Sequence, residues 1–143
     1  MATVIVRSGP GLLQTIEAGR HTLVSDEPVA AGGQDAGPDP YTMLMAALGA
    51  CTSMTMRLYA GRKGWDLRGV TVELDYGRVY AEDCLHCEEP RAMVERIRRR
   101  IRLTGNLDAA QVARLGEIAK KCPVHKTLRA GLRVEDEIGL AGA

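Results

Sequence analysis

Phenylalanine is absent from the 143 residues, tryptophan occurs once and tyrosine four times. A core with so few large rings has to be aliphatic, built from Leu, Val, Ile, Met and Ala. Long apolar runs are lacking as well. The longest, Met43 to Cys51, is less than half of the roughly 20 residues a membrane-spanning helix needs, so no membrane partner is expected. Neither sign of charge dominates. Lys and Arg number 19 and Asp and Glu 18, a net charge of +1, which argues against bulk electrostatic capture of nucleic acid. The opening residues, MATVIVRSGPG, lack the basic stretch and long apolar segment of an export signal. With four cysteines and no such signal, a reducing cytoplasm is the expected location. Thiols there are more often catalytic, redox-active or metal-binding than structural disulfides. The length suits a single domain spanning 1–143.

Along the chain, Thr3 to Arg7 is β-branched and strand-like, and Pro10-Gly11 reads as a turn. Leu12 to Ile16 and His21 to Ser25 predict two further strands joined by a hairpin at Ala18-Gly19. The Gly- and Pro-rich stretch from Asp26 to Asp39 predicts a loop. Asp39-Pro40 then marks a helix start, Asp as N-cap and Pro at the first helical position, with the helix running to about Arg62 or Gly64. Leu44, Leu48, Cys51, Thr55 and Leu58 share one stripe of it, and Ala46, Gly49 and Ala50 on the other side are also non-polar. Such a helix is expected to be buried nearly all round, with small residues that let a second helix approach, from a second subunit in a chain this short.

Val70 to Tyr80 alternates as a strand, and Glu95 to Leu103 as another, with Ile97, Ile101 and Leu103 opposite Arg96, Arg98, Arg100 and Arg102. The arginine row reads as a solvated strand face, with partners in Glu73 and Asp75 across the sheet. Asp108 caps a second helix through Lys121, Pro123 interrupts it, a short turn follows through Leu128, and Leu132 to Glu135 predicts a closing strand. The order implies an α+β fold with a largely antiparallel sheet around a long helix.

Two cysteines stand in contrasting settings: Cys51 within the apolar helix and Cys122 just before a proline. A pair of thiols brought together by the fold is the minimum for dithiol redox chemistry. The alternative is two inert core cysteines, since free Cys packs as a small hydrophobe. A thiolate at Cys51 needs a cation, because the helix dipole fades within the first turn and apolar surroundings raise a thiol pKa. Arg20 and Arg7 are the candidates.

Four segments together resemble the OsmC/Ohr family, above all its small OsmC-like branch: Asp39-Pro40-Tyr41, LMAALGACTSMT around Cys51, YAGRKGWDLRGV from Tyr59 to Val70, and LGEIAKKCPVH ending at His125. The resemblance covers residues 21 to 137. It implies an intertwined homodimer and thiol-based reduction of organic hydroperoxides. In that scheme Cys51 is the attacking thiol and Cys122 the resolving thiol. No metal and no other cofactor are implied, and an external dithiol, a lipoyl protein in the best-known branch, restores the thiols. Leu44, Leu48 and Met54 form the expected apolar substrate wall. One departure is plain: the glutamate that follows the proline in the hydroperoxide reductases, where it orients an activating arginine, is Tyr41 here. Asp26 and Glu27 are the loop carboxylates that could replace it.

Cys84 and Cys87 form a CxxC around His86 among acidic residues. One CxxC supplies two of the four ligands a zinc site uses, and no second CxxC is present, so no metal site is expected. Loop cysteines or an auxiliary dithiol are the other readings. His125, three residues after Cys122, either tunes that thiol or packs at a turn.

Overall fold

The computed structural model describes residues 3–80 and 93–142. Cys84, His86 and Cys87 lie outside them. Three strands, β1 (Val4–Ser8), β2 (Gln14–Ala18) and β3 (His21–Ser25), form an antiparallel sheet in the order β1-β2-β3. A single 3-10 turn at Val29–Ala31 interrupts the loop that follows. The long helix α1 (Pro40–Lys63) leads to β4 (Asp66–Tyr80) and β5 (Met93–Asn106), then to α2 (Ala109–Ala119) and α3 (Pro123–Ala130). β4 and β5 are paired. Glu73 faces Arg100 and Glu95 faces Arg78 across them. The paired numbers sum to a constant, as an antiparallel hairpin requires. The chain is therefore α+β with antiparallel sheets.

The chain divides into two compact units, Met1–Gly49 with Val72–Ile101, and Ala50–Thr71 with Arg102–Ala143. In the first, Ile16 and Leu48 are buried, and Ala46 and Ala47 of α1 are exposed. Gly49 lets α1 come close to β4: a Cβ there would stand 2.8 Å from the Leu74 side chain. The core of the second comprises Thr52, Met56 and Ala60 of α1, which recur every four residues, with Leu115, Ile118, Ala119 and Cys122. It is aliphatic, as the missing rings require.

The ends of α1 follow the sequence signals. The Asp39 carboxylate accepts the Thr42 N–H at 2.7 Å, and Pro40 fills the first helical position. Gly64, at φ +69°, closes the other end with Trp65 N–H donating to the Ala60 carbonyl at 3.0 Å. The charged row on β5 pairs as expected, Arg100 reaching Glu73 at 2.7 Å and Asp75 at 3.7 Å.

Four expectations need correction. The second strand begins at Gln14, not Leu12, because the Gln14 side chain turns back to the Leu12 carbonyl and pairing starts at Gln14 with Ser25. The residues after Pro123 make a full eight-residue helix, not a short turn. Leu132 to Glu135 has no regular structure, and Leu132 and Val134 are 69% and 73% exposed. A strand needs a neighbour for its backbone groups, and among the described residues none pairs with this segment. Finally, α1 is not buried all round: Met54 and Leu58 are 63% and 64% exposed.

Candidate functional site

The site starts from two local rules. Asp108 opens α2 with a full capping box, its carboxylate accepting the Gln111 N–H at 2.8 Å while the Gln111 side chain accepts the Asp108 N–H at 2.9 Å. α2 ends at Ala119, a turn through Lys120 and Lys121 follows, and Cys122, as the residue before a proline, is pushed out of the helical region. Cys122 accordingly has φ −55° and ψ 130°. From there its sulfur turns back over the first turn of α3 and caps it, accepting the His125 N–H at 3.5 Å. The role usually taken by Ser, Thr or Asp is filled here by a thiol.

Cys122 is fully buried. Cys51, three turns into α1, is half-buried, and its thiol shares a hydrogen bond with that of Cys122. Neither cysteine is in a disulfide. Burial pushes the Cys122 thiol above its ordinary pKa, and the hydrogen bond with Cys51 adds to the rise. The backbone N–H groups of His125 and Val124 act in the opposite direction, since they stabilise the thiolate.

Elsewhere in the same unit, the Arg114 guanidinium donates to the Tyr59 hydroxyl at 3.1 Å and pairs with Glu117 at 2.7 Å. That hydrogen bond is the main reason the Tyr59 phenol sits below its ordinary pKa. The Trp65 ring stands edge-on to Tyr59, 5.5 Å between centroids. Neither Tyr59 nor Arg114 stood out in the sequence, where no motif joins residues 55 positions apart.

The other expected site residues lie in the first unit, except Met54. Leu48 is buried, Leu44 half-buried and Met54, in the second unit, exposed. Arg20 is exposed in the β2–β3 turn, and the Arg7 guanidinium is held by Glu17 at 2.6 Å. Asp26 is buried beside a concavity of about 290 Å³ that Pro10, Leu12 and Gln34 also line. Its carboxylate accepts the N–H groups of Glu27, Gln34 and Ala36 at 2.8, 3.1 and 3.2 Å. Burial alone would raise its pKa, yet these three donors together bring it below the ordinary value. Asp26 thus pins its own loop and, among the described residues, carries no ion pair. Tyr41, at the place of the family glutamate, stacks on Tyr76 at 4.6 Å. A hydrogen bond to Glu95 is the main reason the Tyr76 phenol is raised.

Among the described residues, no group of three His, Cys, Asp or Glu side chains could hold a metal ion, and no helix is long and apolar enough to cross a membrane.

An α+β chain with a long helix that presents one thiol to a second, helix-capping thiol defines a class of dithiol proteins. The model of the OsmC-like protein family matches residues 32–137, and the chain belongs to that family. Solved structures agree on the fold. The OsmC-like protein of Mycoplasma pneumoniae superimposes with a TM-score of 0.70 at 17% identity, over 90% of this chain and 87% of that one. The organic hydroperoxide resistance protein OsmC of Legionella pneumophila gives 0.65 at 17% identity, over 90% and 89%. The organic hydroperoxide resistance protein OhrB of Bacillus subtilis gives 0.61 at 19% identity, over 90% of each chain. At such identities the likeness speaks for the fold alone. No curated protein matches the sequence.

Proposed function

We propose that the protein is a thiol-dependent peroxidase that reduces organic hydroperoxides. One observation carries this reading: the thiols of Cys51 and Cys122, neither of them in a disulfide, share a hydrogen bond. The names of the Legionella and Bacillus proteins, both hydroperoxide resistance proteins, support it. The Cys51 thiolate attacks the peroxide, the O–O bond breaks, an alcohol leaves and Cys51 becomes a sulfenic acid. The Cys122 thiolate then attacks that sulfur and expels hydroxide, leaving a disulfide that an external dithiol, a lipoyl protein for instance, reopens. Cys51 lies beyond the reach of the helix dipole, so a cation has to favour its thiolate. Arg20 is the cation proposed from the sequence, and it lies in the first unit, whereas Arg7 is taken by Glu17. Met54, which shares the second unit with Cys51 and Cys122, is the residue proposed to meet the alkyl group. The exposed apolar side chains of α1, Met54 and Leu58, support a homodimer in which a second copy covers them.

The test is to add cumene hydroperoxide to the reduced protein and map disulfides by mass spectrometry. A Cys51–Cys122 bond and turnover with dithiothreitol are expected, both lost in Cys51→Ser. Peroxide consumption that persists in Cys51→Ser rejects the assignment. A second reading rests on Tyr41, which leaves the family's carboxylate position without a charge: the fold then serves as a non-catalytic binding or redox-sensing protein. Disulfide formation without turnover favours it.

A further inference from the structure

The sulfur that resolves a sulfenic acid has to become an anion at a fully buried position, where desolvation opposes charge. Something must offset that opposition at the moment of attack. Lys121 precedes Cys122 in the chain and is exposed, but the groups that act on the Cys122 sulfur are the Cys51 thiol of α1 and the amides of Val124 and His125 at the start of α3. Of these, the His125 N–H donates directly to the sulfur, with 3.5 Å between nitrogen and sulfur. It belongs to the first turn of α3, where N–H groups have no partner inside the helix.

We infer that the backbone N–H of His125 makes Cys122 competent as the resolving nucleophile, by holding its sulfur beside Cys51 and stabilising the negative charge it carries into the attack. The inference rests on the peroxidase reading, whose hydroperoxide supplies the oxidising equivalent. Cys122 gives up its proton, its electron pair forms the S–S bond, and the S–O bond of the Cys51 sulfenic acid breaks. The departing hydroxide takes up a proton and leaves as water. His125 acts here through its peptide group and not through its imidazole. The same N–H that fastens the reduced sulfur as a cap is already aimed at the charge that develops, so no donor has to be recruited during the reaction.

The experiment compares His125→Ala, which keeps the N–H, with the same position carrying lactic acid, which replaces that N–H by an ester oxygen. Both lack the imidazole, so they differ at the one group in question. A first measurement titrates the thiolate absorbance of Cys122 in a Cys51→Ser, Cys84→Ser, Cys87→Ser background, where it is the remaining thiol. Loss of a hydrogen bond to a charged acceptor is expected to weaken Cys122 as an acid about tenfold. The second measurement, with Cys51 and Cys122 as the two thiols present, follows decay of the Cys51 sulfenic acid after one equivalent of cumene hydroperoxide. Thiolate nucleophilicity falls only partly with acidity. The ester protein should therefore resolve about threefold more slowly below the thiol's midpoint and about threefold faster above it. This crossing is a signature that a merely loosened helix would not produce. Superimposable titration curves for the two proteins overturn the inference. Absence of any sulfenic acid on Cys51 overturns the resolving role together with the peroxidase reading, while the titration still reports whether the amide holds the charge.

Discussion

Replacing Cys122 by serine separates what the sulfur does for the fold from what it does for the chemistry. The side chain is fully buried and accepts the His125 N–H, and its thiol shares a hydrogen bond with Cys51. A serine hydroxyl finds the same partners. Losing the buried sulfur costs about 1 kcal/mol of apolar transfer, and serine as a helix N-cap returns about 0.5–1 kcal/mol. Cys122→Ser should thus unfold within about 1 kcal/mol of the parent, a shift of roughly 2–4 °C at most. Cys122→Val fills the same space without an acceptor. It loses the cap and strands a partly buried N–H, at a cost of about 2 kcal/mol beyond the serine variant. Thermal unfolding at one fixed protein concentration reads both. With cumene hydroperoxide, Cys122→Ser should accumulate a Cys51 sulfenic acid that dimedone traps, and no intramolecular disulfide. Equal stability of the serine and valine variants would refute the capping argument. Failure of Cys51 to oxidise would refute the redox one.

Leu115 is fully buried in the second unit, so Leu115→Ala should cost about 2–5 kcal/mol in urea unfolding, and a cost below about 1 kcal/mol would mean the site collapses around the gap. The Asp66 carboxyl lies below its ordinary pKa, chiefly through its hydrogen bonds from Arg68 and then the Asn106 N–H. A lowered folded-state pKa stabilises the fold above the unfolded value near 4 and is lost as pH falls through the folded one. Asp66→Asn should therefore show a shallower loss of stability between about pH 5 and 3, as urea midpoints will reveal; an unchanged slope contradicts the reading. Arg114→Gln removes the donor that lowers Tyr59, so the Tyr59 ring carbons should titrate at higher pH by NMR, and a downward shift would exclude the guanidinium as the cause.

Much of this molecule was legible in its residues, for physical reasons that differ by element. The bounds of α1 were readable because Asp39-Pro40 and Gly64 satisfy helix ends by local chemistry. β4 and β5 were readable because each has one half-buried face, which imposes alternation. The Leu132 to Glu135 segment has the composition of a strand, but pairing is a property of a neighbour and not of the segment. The meeting of Cys51 with Cys122 came from family resemblance. The cap made by Cys122 was not foreseen, although Cys-Pro before a helical turn is the signal that could have shown it. Asp26 looked like a spare carboxylate, and only the folded loop reveals that three backbone amides occupy it.

The chain's lone tryptophan has a practical consequence. Trp65 is half-buried against Tyr59 and sits in the unit that contains both described cysteines. All indole emission therefore originates there, and excitation absorbed by Tyr59 can pass to it across one ring contact. Fluorescence reports on that half of the molecule without any label, whereas circular dichroism averages over every element. Melting curves that coincide by the two optical signals would mean that both halves lose their structure in one cooperative event.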